Sequence, residues 1–130
     1  MEYCELIGLA KKAMENSYSP YSKFKVGVAL LAGSGKIYLG TNIENASYGA
    51  SICAERVATV KAISEGEKEL VAIALTCNNP EIVCYPCGIC RQFLSEFGNP
   101  DIIVTKNGEF EEIKKLSSLL PNSFSSNDLQ

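Results

Sequence analysis

Two short stretches carry most of the chemistry in this chain, Cys53-Ala54-Glu55-Arg56 and Pro86-Cys87-Gly88-Ile89-Cys90-Arg91. Cys87 and Cys90 are one helical turn apart, whereas Cys53 lies far upstream, so only folding can bring the third thiol to the other two. Three thiolates hold zinc while leaving a fourth position open to water, and an open position separates a catalytic zinc from a structural one. Glu55, two residues beyond Cys53, supplies a carboxylate able to take a proton from such a water and return it to a leaving group. Spacing alone leaves two alternatives: a closed Cys4 zinc completed by Cys84 or Cys77, and an iron–sulfur site on Cys84-x-x-Cys87-x-x-Cys90. Glu55 favours the open site. The sequence has no histidine, so a proton shuttle must be a carboxylate and the metal must rely on thiolates.

The elements around these residues are what must position them. Proline is favoured at the first position of a helix, which predicts a helix from Pro86 to about residue 97 with Cys87 and Cys90 in its first turn. Cys53 opens a second helix, predicted over residues 53–65, ended by Gly66, with Val57, Val60, Ala62 and Ile63 toward a sheet. Both helix N-termini present a positive dipole end, which favours the thiolate form of a nearby cysteine. Three thiolates on one divalent zinc leave a net negative charge, and Arg56 and Arg91 are placed to offset it by hydrogen bonds to sulfur.

Apolar spacings of three and four predict a helix over residues 3–16, followed by a loop around Pro20. Residues 26–32 and 37–43 read as a hairpin whose first strand is buried on both faces, and residues 70–76 as a further strand. Residues 101–105 and a partner starting near Phe110 flank Asn107-Gly108, the strongest short hairpin signal, so the last two strands are antiparallel. Residues 116–120 form a helical turn stopped by Pro121, and a Ser- and Asn-rich tail follows. These five strands and their helices predict an α/β fold, a mixed sheet covered by helices, as one domain over residues 1–130.

With 12 Lys+Arg against 15 Asp+Glu and no basic block, the chain lacks the footprint of a nucleic-acid or anionic-membrane binder and suits a small neutral ligand. Charged residues interrupt the first sixteen positions, which excludes a signal peptide or membrane span there and leads to the expectation of a cytoplasmic protein. On that expectation the six cysteines are metal ligands or reduced thiols rather than a disulfide framework.

Taken together, Cys53-Ala54-Glu55-Arg56, Pro86-Cys87-Gly88-Ile89-Cys90-Arg91-Gln92, Tyr18-Ser19-Pro20-Tyr21-Ser22-Lys23-Phe24, residues 42–49 and Leu119-Leu120-Pro121 resemble the small cytidine deaminases nearly end to end. The resemblance implies a three-layer α/β/α fold, one zinc per subunit, and hydrolytic deamination of cytidine and 2'-deoxycytidine in pyrimidine salvage. It implies Cys53, Cys87 and Cys90 as ligands and Glu55 as the shuttle. Phe24 would stack on the pyrimidine, Asn42 and Glu44 would bind the ribose hydroxyls, and the Ala54 backbone would read the base carbonyl. The family is typically a homotetramer with shared sites, which makes Ala46, Tyr48 and Phe124 contacts across an interface. One departure bears on substrate range: Tyr85, preceded by Cys84, stands where the family usually has serine, so another aminated ring is the alternative substrate.

Overall fold

A computed structural model describes residues 2–129. Its elements run α1 (Tyr3–Met14), β1 (Val26–Ala32), β2 (Ile37–Thr41), α2 (Ala54–Ser64), β3 (Leu70–Cys77), α3 (Gly88–Ser95), β4 (Asp101–Lys106), β5 (Glu109–Lys115) and α4 (Leu116–Leu119), with short 3-10 turns at Tyr48–Ala50 and Ser126–Leu129. The strands form one mixed sheet in the order β2-β1-β3-β4-β5. Only the β3–β4 pair is parallel, and α3 makes the crossover between them. The hairpin between β4 and β5 turns on Asn107 (φ 52°) and Gly108 (φ 73°), the pair of left-handed residues that a two-residue turn needs.

The sheet separates two apolar layers. On one face Leu6, Ile7 and Ala10 of α1 pack against Ala29, Ala72, Ala74 and Ile103. On the other, Ala54, Ala58 and Ala62 of α2 and Leu94 of α3 pack with Val28, Leu30, Ile73, Leu75, Ile102 and Val104. The expected three-layer α/β/α arrangement is therefore present. β5, an edge strand, is largely exposed and carries Glu109, Glu111, Glu112, Lys114 and Lys115, charges that discourage edge-to-edge pairing. The segment after β5 returns to α3: Arg91 Nη1 donates to the Leu119 carbonyl (2.9 Å) and Gln92 Nε2 to the Phe124 carbonyl (2.8 Å). Among the described residues no helix is long and apolar enough to cross a membrane.

Two expectations about α2 and α3 need correction. The buried stripe of α2 is Ala54, Ala58 and Ala62 together with Glu55 and Thr59, while Val60 is 41% exposed. Small side chains let the helix axis lie close to the sheet, and that proximity outweighs the larger apolar area of Val60. Helix α3 begins at Gly88, so Cys87 caps it and Pro86 lies outside.

Gly40 of β2 sets how close α2 lies. A Cβ there would stand 2.4 Å from the Ala54 carbonyl oxygen and 2.6 Å from the Ala58 nitrogen, both backbone atoms with little freedom to yield. Gly27 plays the same part for α1 on the opposite face, its Cβ position lying 2.0 Å from the Ala10 carbonyl. Gly40→Ala and Gly27→Ala should each lower unfolding free energy by about 1–3 kcal/mol in urea titrations. Only Gly40→Ala should also weaken metal retention, because Ala54 adjoins Cys53. Equal metal content in the two variants would show that the α2 contact does not set the site.

Candidate metal centre and cavity

Helices α2 and α3 both start at the same place, and each starts with a cysteine. Cys53 is the N-cap of α2 and Cys87 the N-cap of α3, with Cys90 inside the first turn of α3. The segments leading into the helices are fixed by backbone pairing. Ile43 and Ile52 exchange hydrogen bonds (3.0 and 2.9 Å) just before Cys53. Cys84 N–H donates to the Thr105 carbonyl (2.9 Å), tying the approach to Cys87 onto β4.

Cys53 Sγ lies 3.8 Å from Cys87 Sγ, Cys87 Sγ lies 3.4 Å from Cys90 Sγ, and all three sulfurs fall within 4.8 Å of one another. Zinc–thiolate bonds of ~2.3 Å at tetrahedral angles put sulfurs about 3.8 Å apart, so the trio fits three corners of a zinc site. Among the described residues it is the one cluster of three or more Cys, Asp or Glu close enough to share an ion. Cys77 and Cys84 do not join it: their sulfurs face each other at 2.8 Å. The closed Cys4 and iron–sulfur arrangements therefore lack their fourth thiol.

The electrostatics match the role of metal ligands. A hydrogen bond from Cys90, reinforced by Arg56 and Cys87, holds the Cys53 thiol down at about 5 against the opposing effect of burial, and the same pairing drives Cys90 upward. Two thiols that share one negative charge will give up the remaining proton to a divalent ion. Arg56 Nη2 approaches Cys53 Sγ at 3.9 Å, as expected of a charge offset, while its Nε is buried without a hydrogen-bond partner. Arg91 is different. Its Nε donates to the Pro86 carbonyl (2.7 Å) and its Nη1 to Leu119, so it braces the backbone around α3 instead of reaching sulfur.

Glu55 is 5% exposed at the first turn of α2. Burial pushes its carboxyl up to about 7, with the Cys53 charge acting in the same direction. A carboxyl balanced near neutrality can both hold and release a proton.

A cavity of about 200 Å³ opens on this cluster, lined among others by Phe24, Asn42, Ala54, Glu55, Cys53 and Cys87. Phe24 is presented by a tightly bonded loop. Lys23 before it is left-handed (φ 61°), Ser22 Oγ accepts from Phe24 N–H (3.0 Å), and Asn42 Nδ2 donates to the Phe24 carbonyl (2.7 Å). Asn42 Oδ1 accepts from Ser17 Oγ (2.6 Å) and Val26 N–H (3.0 Å), so its oxygen is spent on the fold and one Nδ2–H remains. Ala54 heads α2, where backbone N–H groups have no partner within the helix.

Glu44 lines a separate cavity of about 370 Å³ with Tyr21, Ser22, Tyr48 and Ser51. Its carboxylate accepts from the Ser22 hydroxyl and from the backbone N–H groups of Tyr21 (3.0 Å) and Ser22 (3.1 Å), and the Ser22 contact first of all keeps it below the usual carboxylate range. Tyr48 packs edge-on to Tyr21, with centroids 5.9 Å apart. Ala46 and Phe124 are exposed and line neither cavity. Tyr85 borders the 200 Å³ cavity, but its hydroxyl donates to Glu112 on β5, which fixes the end of the side chain on the edge strand. Cys77 and Cys84 both line the cavity; sequence offered either as a fourth metal ligand or as a reduced thiol, and nothing in their seven-residue separation signalled that they face each other.

The family model described as "Cytidine and deoxycytidylate deaminase zinc-binding region" matches residues 1–106. A cytidine deaminase of Sporosarcina psychrophila is 46% identical over 132 residues, covering 99% of this chain and 96% of that protein. A crystal structure of cytidine deaminase from Burkholderia pseudomallei superposes with a TM-score of 0.89 at 40% identity, covering 95% of this chain and 100% of that one. Cytidine deaminase from Mycobacterium tuberculosis gives 0.82 at 36% identity, with 95% and 98% covered. Replacing Cys87 with alanine removes the thiol that touches both other sulfurs. Elemental analysis of Cys87→Ala should show bound zinc reduced to a trace after dialysis; a zinc-replete variant would remove Cys87 from the ligand set.

Proposed function

Because the chain belongs to the cytidine and deoxycytidylate deaminase family, we propose that it is a zinc-dependent hydrolase converting cytidine and 2'-deoxycytidine to uridine and 2'-deoxyuridine with release of ammonia. The observation that carries this is the three-cysteine cluster with buried Glu55 beside it, at the wall of a cavity large enough for a pyrimidine.

Cys53, Cys87 and Cys90 would hold one zinc per subunit, which would supply a Lewis acid that acidifies water. Glu55 accepts one proton of the attacking water and passes it to ring N3 as oxygen adds at C4. It then takes the second proton from the new C4 hydroxyl and delivers it to the amine, so that ammonia leaves as the C4–N bond breaks and the C4 carbonyl forms. Its buried position supports this, since a carboxyl poised near neutrality serves as base and acid in turn. Phe24 packs on the ring face and the Ala54 N–H, at the N-terminus of α2, donates to the base carbonyl oxygen. The remaining Nδ2–H of Asn42 donates to a sugar hydroxyl, and anionic Glu44, on the cavity of about 370 Å³ that meets this one where Ser22 binds Phe24 N–H, accepts from a sugar hydroxyl extending to that side. A carboxylate at the sugar disfavours a phosphate there, which supports a nucleoside over a nucleotide. Arg56 offsets the excess thiolate charge.

We extend the proposal to a single catalytic domain over residues 1–130 and a cytoplasmic homotetramer acting in pyrimidine salvage, with Ala46, Tyr48 and Phe124 reaching neighbouring subunits. Tyr48 at 76% and Phe124 at 58% exposure support the assembly, because aromatic side chains in water favour a partner. An ultraviolet assay against cytidine, deoxycytidine, cytidine monophosphate and adenosine should give turnover with the two nucleosides of cytosine. Preference for the monophosphate would overturn the role given to Glu44. Glu55→Gln should keep its zinc and lose on the order of 10²–10⁴-fold in kcat; near-normal turnover would remove Glu55 from the proton path.

A further inference from the structure

We propose that Cys77 and Cys84 form a reversible disulfide in the wall of the substrate cavity, and that this bond loosens the loop holding Phe24. Cys77 ends β3, Cys84 precedes the Tyr85-Pro86-Cys87 approach to α3, and the two sulfurs stand 2.8 Å apart. That is inside van der Waals contact for sulfur and within about 1 Å of a disulfide bond length. Both residues are only 6% exposed, yet both line the cavity that reaches the metal cluster, so a molecule small enough to enter it meets them. Neither belongs to the three-thiol cluster, and the catalytic scheme leaves both unused.

The intervening residues connect the pair to substrate binding. Asn78, next to Cys77, brackets Phe24: its Oδ1 accepts from Lys25 N–H (3.0 Å), its Nδ2 donates to the Lys23 carbonyl (3.0 Å), and its own N–H donates to the Lys25 carbonyl (3.0 Å). Pulling Cys77 toward Cys84 shifts the residue that fixes both neighbours of the cavity's aromatic ring. Cys77 Sγ also loses its S–H contact with the Asn79 carbonyl (3.6 Å) when it is oxidised.

The oxidant is a small peroxide. Cys77 sulfur takes one oxygen as the O–O bond breaks, giving a sulfenic acid and one water. Cys84 then gives up its proton, its sulfur displaces the hydroxyl from Cys77, and the second water leaves as the S–S bond forms. The two thiols lose two electrons and two protons, and the peroxide is reduced to two waters. Burial, then the neighbouring Cys77, pushes the Cys84 thiol up to about 12, so it stays protonated and donates toward the Cys77 sulfur.

The test treats zinc-loaded protein with graded hydrogen peroxide, then follows peptide mass, bound zinc and steady-state kinetics. A peptide linked through Cys77 and Cys84 is expected at unchanged zinc content. KM for cytidine should rise about fivefold, the equivalent of losing one hydrogen bond, with kcat little changed and dithiothreitol reversing both. Cys84→Ser should show neither the link nor the reversible KM change, each measured against its own untreated sample. Absence of the link at peroxide levels that already release zinc would overturn the proposal. So would links through Cys53, Cys87 or Cys90, or the same reversible KM change in Cys84→Ser. The link is read by mass, so it stands or falls independently of activity on cytidine.

Discussion

Three cysteine sulfurs must be held within 4.8 Å of one another, and the site depends on making the charge they would carry as metal ligands tolerable. Like charges at such separation repel strongly once partly shielded from water. The fold answers with two helix N-termini aimed at one point and a guanidinium beside Cys53, and it lets one proton be shared between Cys53 and Cys90. A divalent cation completes the compensation. The cluster is thus stable enough to fold yet unsatisfied enough to bind metal, and both properties come from the same placement of the helix starts.

Where those starts lie is a packing result. Gly40 and the Ala54, Ala58 and Ala62 stripe let α2 approach the sheet almost backbone to backbone, carrying Cys53 to the start of α3. The same approach buries Glu55, and burial is what raises its carboxyl toward neutrality. A helix resting on Val57 and Val60 would stand further out, with Glu55 better hydrated and a weaker acid–base partner. Packing density and catalytic protonation are therefore one constraint seen at two scales.

The cavity wall opposite the helices is built from polar economy. The side chains of Asn42 and Asn78 each donate to and accept from the backbone around Phe24, which keeps an aromatic ring in place at the mouth of a loop. Tyr85, a residue that could have narrowed the cavity, is held to β5 through Glu112. Cys77 and Cys84 stand in the cavity wall as a facing pair.

Local chemistry determined much of this protein without its structure. The helical-turn spacing of Cys87 and Cys90, the β4–β5 hairpin at Asn107-Gly108 and the five-strand count follow from spacing, turn preference and apolar periodicity, which act over a few residues, whereas Cys53 as third ligand and Glu55 as shuttle are implied by the resemblance of whole motifs. Four features depended on contacts between residues distant in sequence, where such rules have no reach. Arg91 turned to the carbonyls of Pro86 and Leu119 instead of sulfur, and α2 buried alanines instead of Val60. Tyr85 found Glu112 on another strand, and Cys84 paired with Cys77 although its spacing suggested Cys87. In each case the sequence named a capable group, and the tertiary structure chose its partner, because hydrogen bonds and van der Waals contacts depend on distances of a few ångströms that only the packed sheet and helices set.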